Sequence, residues 1–218
     1  MCIRDRDETV SAAESYSERI AVKIRTLELL SVLDMLCLVI LIVIQTLAAM
    51  KMSVLNKLLE QRAYTDAHTG LPNKDACEVL LNNKETVAKH TACMMFDLNN
   101  LKIINDTKGH SKGDQLILNF ARLLRNVIPQ KDFVGRYGGD EFMVVIYNTS
   151  KTEIEDILKQ LSREKDRLNR SGNNMPIDYA CGWAISDADS ECTIQMLLDK
   201  ADYYMYENKQ AYKKSKKS

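Results

Sequence analysis

Gly138-Gly139-Asp140-Glu141-Phe142 sets two carboxylates directly after two glycines and directly before an apolar run, Phe142 to Tyr147. The glycine pair predicts a tight hairpin turn with positive φ. Acids held at such a tip suit a divalent cation and a phosphate substrate. Asp97 closes a second apolar run that starts at Ala92. If the two runs are neighbouring strands, Asp97 and Asp140 converge. Two carboxylates that close repel each other unless a cation lies between them. Mg²⁺ fits, because it takes one or two carboxylates plus phosphate oxygens and water. Lys102 follows Asp97 by five residues, and Lys209 and Lys213 lie one helical turn apart on a shared face. Lysines converging on a metal–carboxylate site read as a triphosphate clamp. Taken alone they fit a solvated surface equally well, and Lys213 opens a basic tail, Lys213-Lys214-Ser215-Lys216-Lys217, that also reads as a solubilising end.

The elements that must position these residues follow from periodicity. The turn Thr69-Gly70-Leu71-Pro72-Asn73 precedes a helix expected to reach about His90. After the strand ending at Asp97, a brief helix is expected over Asn100–Asn105 and a loop over Gly109–Gly113. From Asp114 onward Leu116, Phe120, Leu123, Leu124 and Val127 mark one helical face. Phe133–Tyr137 and Phe142–Tyr147 form the arms of the hairpin. Ser150 and Glu153 make a capping box for a helix carrying Ile154, Ile157, Leu158 and Leu161. Ile177, Tyr179, Cys181, Trp183 and Ile185 alternate with small or polar residues, the pattern of a half-buried strand. A last helix runs from Thr193 to about Tyr212. The order helix, strand, helix, hairpin, helix, strand, helix indicates an α+β domain, a mainly antiparallel central sheet flanked by helices.

Composition narrows the class of function. Lys+Arg and Asp+Glu both total 30, so the net charge is zero and no bulk electrostatic attraction to nucleic acid is expected. The six cysteines form no C-x-x-C pair and read as core residues of a reducing compartment. The three scattered histidines argue against a histidine-built zinc site. One segment stands apart: Met35–Met50 carries no charge, and extended back to Leu29 it gains only Asp34. That length of helix matches a hydrocarbon core of ~30 Å. Leu36–Ile44 keeps no amphipathic face, so a membrane span is favoured over a buried soluble helix. Basic residues flank both ends, so their asymmetry does not set the orientation. The expected organisation is an N-terminal helical remnant over 1–28, a transmembrane helix over 29–50, a linker helix over 51–63 and a globular catalytic domain over 64–218. Residues 1–28 are too short for a sensor domain, and a longer sensory region is expected ahead of them. Met52, Leu55 and Leu59 fit either a short coiled coil or a simple connector helix.

Five motifs, in order, resemble the GGDEF family of diguanylate cyclases across about Asp66 to Lys213. Asp66-Ala67-His68-Thr69-Gly70-Leu71-Pro72-Asn73-Lys74 is similar to D-x-L-T-G-L-x-N-R, with His68 for Leu and Lys74 for Arg. Asp97-Leu98-Asn99-Asn100-Leu101-Lys102-Ile103-Ile104-Asn105-Asp106 is similar to D-x-D-x-F-K-x-x-N-D. Gly109-His110-Ser111-Lys112-Gly113-Asp114 is similar to G-H-x-x-G-D. Arg136-Tyr137 with the glycine motif, and Ala201-Asp202 through Lys209, complete the set. The resemblance implies a palm-like, ferredoxin-like sheet. It implies that Asp97, Asp140 and the Leu98 carbonyl hold Mg²⁺, two ions per active site, with Mn²⁺ as a substitute. Asn105 and Asp114 then read the guanine edge, and Lys102, Lys209 and Lys213 hold the β- and γ-phosphates. Glu141 supports the metal ligand beside it, so that Asp140, Glu141 and Lys102 form the catalytic group. Asp66 is expected to pair with Arg136 in a structural role. The implied reaction joins two GTP into cyclic di-GMP with release of two pyrophosphates across a two-fold homodimer. The implied location is the inner membrane of a bacterium, spanned once, with the catalytic domain in the cytoplasm.

Three departures qualify the resemblance. Asn99 replaces a second acid near the metals and weakens metal binding without removing the Asp97–Asp140 pair. His68 and Asn99 are what a catalytically silent relative, binding GTP or a partner and only relaying signals, would show. The family's product-inhibition motif is R-x-x-D, and here the stretch is Pro129-Gln130-Lys131-Asp132, without the arginine that grips guanine and phosphate.

Overall fold

The computed structural model describes residues 3–83, 86–87, 90–171, 175–186 and 192–215. It divides into a helical unit up to Leu59 and a second unit from Glu60 onward. Helix α1 (Ile3–Tyr64) is uninterrupted, so the expected span and linker are one element. Every side chain described between Tyr16 and Leu59 is exposed. Its central window has a mean hydropathy of 2.7 with none of it buried, which makes it long and apolar enough to cross a membrane.

The second unit carries α2 (Lys74–Leu81), β1 (Ala92–Leu98), α3 (Leu101–Lys108), α4 (His110–Val127), β2 (Phe133–Arg136), β3 (Glu141–Ile146), α5 (Lys151–Arg170), β4 (Tyr179–Ile185) and α6 (Ile194–Ser215). The strands form one sheet in the order β2-β3-β1-β4, with every neighbouring pair antiparallel. The α+β class and the antiparallel sheet are as the periodicity indicates. β1 is buried along its whole length because helices cover both of its faces. Met94, Phe96 and Leu98 join Leu116, Phe120 and Leu124 of α4 and Ile154 and Leu161 of α5. Cys93 and Met95 join Cys77 of α2 and Leu197, Ala201 and Met205 of α6. Cys77, Cys93 and Cys192 are thus core residues, as expected, whereas Cys37 is exposed on α1. Cys2, Lys216 and Lys217 lie outside the described residues.

Several boundaries differ from expectation for local reasons. α2 stops at Leu81, where the Asn82 amide closes on the Glu78 carbonyl; residues 84–85 and 88–89 of the longer helix expected here lie outside the described set. The expected loop at Gly109–Gly113 is the first turn of α4. Gly109, at φ 83°, reverses the chain between α3 and α4 in the single residue that separates them. The capping box is present, with Ser150 Oγ accepting from the Glu153 amide and the Glu153 carboxylate accepting from Ser150 N–H. β4 alternates in burial as expected, but its fully buried face is the small one. Tyr179, Cys181, Trp183 and Ile185 pack on the α4–α5 side, and Ala180, Gly182 and Ala184 face α6. A Cβ at Gly182 would overlap the α6 backbone at Ala201 and Met205, so the small residues read as the solvent face in fact admit the helix.

Candidate active site

The C-terminal end of β1 and the hairpin tip are adjacent. Asp97 is directly opposite Glu141 in the β1–β3 register, and the next amide, Leu98 N–H, donates to the Asp140 carbonyl at 2.9 Å. Cross-strand partners share a face. The residue across from Asp97 is therefore Glu141, and Asp140 lies one position earlier, in the turn.

The turn itself is not built on left-handed glycines. Positive φ occurs at Gly70 and Gly109 among the described glycines, not at Gly138 or Gly139, which corrects the expectation above. Arg136 shapes the turn instead. Its Nε donates to the Gly138 carbonyl at 3.2 Å and its Nη2 to the Gly139 carbonyl at 2.8 Å, while the Tyr137 and Gly138 amides both donate to the Glu141 carbonyl. Space accounts for the glycines. A Cβ at Gly138 would crowd the Glu141 carboxylate, and nothing lies within 4 Å of one at Gly139, so that backbone is open to a ligand.

Arg136 also donates to both carboxylate oxygens of Asp66 at 3.2 Å, the structural pairing expected. Asp66 Oδ1 accepts in addition from the Thr69 amide and hydroxyl. The start of the domain is fastened at the same place. The Asn73 amide donates to the Tyr64 carbonyl, its side chain to the Ala63 carbonyl, and Thr65 bridges to Pro72. Burial acts to raise the Asp66 carboxyl, but the Thr69 hydrogen bonds and the Arg136 charge outweigh it and hold the group below its ordinary 3.8. A depressed carboxyl stabilises the fold above the unfolded-state value and loses that contribution as pH falls through the folded one. Asp66→Asn is therefore expected to lower stability at neutral pH and to flatten its fall below pH about 4, read by denaturant unfolding from pH 7 down to 3.

Asp97 is 5% exposed. Its Oδ2 accepts from Lys209 Nζ at 2.5 Å, and its Oδ1 is buried without a hydrogen-bond partner among the described residues. A buried carboxylate oxygen left unpaired calls for a cation. The Glu141 carboxyl is pushed up by burial first, then by the charges of Asp140, Asp97 and Asp202, against the opposing pull of Lys209. Four acids thus crowd one ammonium. Among the described residues no group of three or more His, Cys, Asp or Glu is close enough to enclose a metal by itself. Mg²⁺ does not need such a cage, since phosphate oxygens and water complete its shell. The donor set therefore fits Mg²⁺ bound together with a phosphorylated ligand.

The other expected residues sit on the helices that follow. Lys102 is exposed in the first turn of α3, whose N-cap Asn100 (φ 64°) makes no side-chain cap, so the helix presents bare amides there. Asn105 Oδ1 is buried without a partner and lies where a Cβ on Gly113 would be, so Gly113 makes room for the amide beside Asp114. Asp114 is exposed on α4. Lys213 is exposed one turn beyond Lys209 and carries no bond to Asp97. Asn99 is buried, 6% exposed; its backbone N–H donates to the Asp178 carbonyl, and its side-chain Nδ2 is buried without a partner among the described residues. His68, read only as a departure from the motif, makes a specific contact. Its Nε2 lies 3.0 Å from the Asp114 carbonyl, an acceptor, so this nitrogen carries the hydrogen.

Two strand ends of an antiparallel sheet thus meet with Asp97 across from Glu141, Asp140 in the turn beside them and Lys209 bonded to Asp97. The chain belongs to the family described as diguanylate cyclase, GGDEF domain, whose signature matches residues 63–215. Among its relatives, Diguanylate cyclase DgcP of Escherichia coli (strain K12) is 30% identical over 165 residues, 73% of this chain and 48% of the relative. Cyclic di-GMP phosphodiesterase NbdA of Pseudomonas aeruginosa is 31% identical over 156 residues, 69% of this chain and 20% of the relative. The GGDEF domain of DgcB from Caulobacter crescentus, solved in complex with c-di-GMP, superposes with a TM-score of 0.59 at 26% identity, over 68% of this chain and 89% of that one. The chain spans from about a fifth to about half the length of these curated relatives.

Proposed function

We propose that the chain is a membrane-anchored diguanylate cyclase that condenses two GTP into cyclic di-GMP and two pyrophosphates as a homodimer. The observation that carries this reading is the buried Asp97 carboxylate, with one oxygen unpartnered, beside the hairpin tip that bears Asp140 and Glu141. Asp97, Asp140 and the Leu98 carbonyl would hold Mg²⁺. When bound, Mg²⁺ lowers the pKa of the attacking 3′-hydroxyl and neutralises charge on the departing pyrophosphate. The chain's own contribution is positioning and electrostatics. Lys102, Lys209 and Lys213 and the open α3 amides grip the β- and γ-phosphates. The Gly139 backbone gives the phosphates close approach. The Asp114 carboxylate accepts from guanine N1–H and N2–H, and Asn105 completes the edge; adenine offers no donor at N1. Two domains face each other so that one nucleotide's hydroxyl meets the other's α-phosphorus. α1 supports anchoring in a bacterial inner membrane, with the GTP-using domain in the cytoplasm.

The test is turnover of GTP with Mg²⁺ by the full chain in detergent or nanodiscs, with the product identified. A cyclic dinucleotide carries the reading, and its absence from a verified dimer sinks it. That absence would favour a silent relay domain, for which Asn99 and the similarity to a phosphodiesterase are the supporting observations. Asp114→Ala is expected to cut the preference for GTP over ATP by about 10²-fold, since hydrogen bonds to a charged acceptor contribute roughly 1.5–3 kcal/mol. Competing initial rates measure this.

Product feedback through the Asp132 stretch is expected to be lost. Asp132 Oδ1 accepts from the Tyr147 amide, and Pro129 stands where an arginine is needed. Arg125 lines the same cavity of about 590 Å³, but its guanidinium donates to the Gly70 carbonyl. Initial rates should stay flat in submicromolar cyclic di-GMP, and inhibition in that range would contradict this.

A further inference from the structure

Lys209 occupies an unusual place for a residue assigned to phosphate. Its ammonium lies 2.5 Å from Asp97 Oδ2, and the side chain is 27% exposed against 7% for that of Asp97. Glu141 is directly across the strand pair from Asp97, Asp140 is next to it, and Asp202 lies two turns before Lys209 on α6. Without ligand, Lys209 is thus the counter-charge that makes a buried carboxylate tolerable.

We infer that Lys209 is a stand-in cation: it holds Asp97 until the triphosphate draws the ammonium away, so the divalent ion and the nucleotide bind together and not one after the other. This rests on the nucleotide-binding reading above and deepens it. A divalent ion arriving alone at the unpaired Oδ1 draws the shared carboxylate charge away from the ammonium on Oδ2. It also sets a dication beside Lys209 with no anion for that lysine to turn to. Both changes are unfavourable. A triphosphate reverses each of them, since its oxygens take Lys209 and complete the metal's shell. Because the coupling is reciprocal, the nucleotide must raise metal affinity by the same factor as the metal raises nucleotide affinity. Lys102 and Lys213 are exposed and unbonded to Asp97, so removing them would weaken phosphate binding without this second effect.

The experiment titrates the full chain in nanodiscs with Mn²⁺, read by loss of the free-ion electron paramagnetic signal, with and without a non-reacting GTP analogue. Wild type should bind Mn²⁺ about tenfold or more tightly with the analogue than without it. Lys209→Met should bind Mn²⁺ alone about tenfold more tightly than wild type, and the analogue more weakly. A purely structural lysine would lower both affinities. Unchanged or weaker Mn²⁺ binding by Lys209→Met overturns the inference. So does a wild type whose Mn²⁺ affinity ignores the analogue, a measurement that needs no variant to fold. A wild type that binds neither ion nor analogue removes the nucleotide site itself, a separate failure.

Discussion

On the proposed reading, Asp140→Ala is expected to lower cyclic di-GMP formation by about three orders of magnitude while leaving the fold intact. A metal ion contributes several kcal/mol to transition-state charge stabilisation, and about 4 kcal/mol corresponds to 10³ in rate. The turn survives the change because Asp140 contributes its carbonyl to it, accepting from Leu98 N–H, and an alanine keeps that carbonyl. The glycine carbonyls stay fastened to Arg136. Asp97→Ala would be a poorer test, because it also strands Lys209. Product quantification beside a melting curve separates chemistry from stability. Turnover equal to wild type removes the metal assignment.

Phe120→Ala costs about 3–5 kcal/mol of stability, the range for truncating a fully buried aromatic side chain. Phe120 is 0% exposed and meets Phe96, Phe142 and Tyr179 at centroid distances of 5.8, 5.0 and 5.1 Å. Phe96 precedes Asp97, Phe142 follows Glu141, and Tyr179 pairs with Leu98. One ring from α4 therefore props the strand ends that present the acids. For a unit of this size the loss corresponds to a drop on the order of 10 °C in melting temperature. Calorimetry measures it, and a drop of a degree or two would show that the cluster carries little of the stability.

Much of this was legible in the residues. The helical faces of α4 and α5 follow from Leu116, Phe120, Leu124, Ile154 and Leu161, all buried. The neighbouring of β1 and β3, on which the meeting of the acids depends, was a condition that periodicity could not settle and that the register supplies. Other features lay beyond local pattern. Gly138 and Gly139 looked like turn formers because glycine permits positive φ, but a guanidinium from the strand shapes the turn. The small face of β4 looked like a solvent face because only the three-dimensional approach of α6 explains Gly182. His68 carried no signal for its contact with Asp114, 46 residues away. The Lys209–Asp97 pair spans 112 residues and was likewise invisible to spacing.

The fastening of Asp66, Asn73 and Arg136 bears on how motion enters the domain. Thr65, which bridges to Pro72, follows directly on Tyr64, the last residue of α1, and Ala63 and Tyr64 are both bonded to Asn73. The last residues of α1 are thus bonded directly to the turn that carries Pro72 and Asn73. Any torque on the final turn of α1 must be borne by Asp66 and Arg136, and so reaches the peptide groups of Gly138 and Gly139.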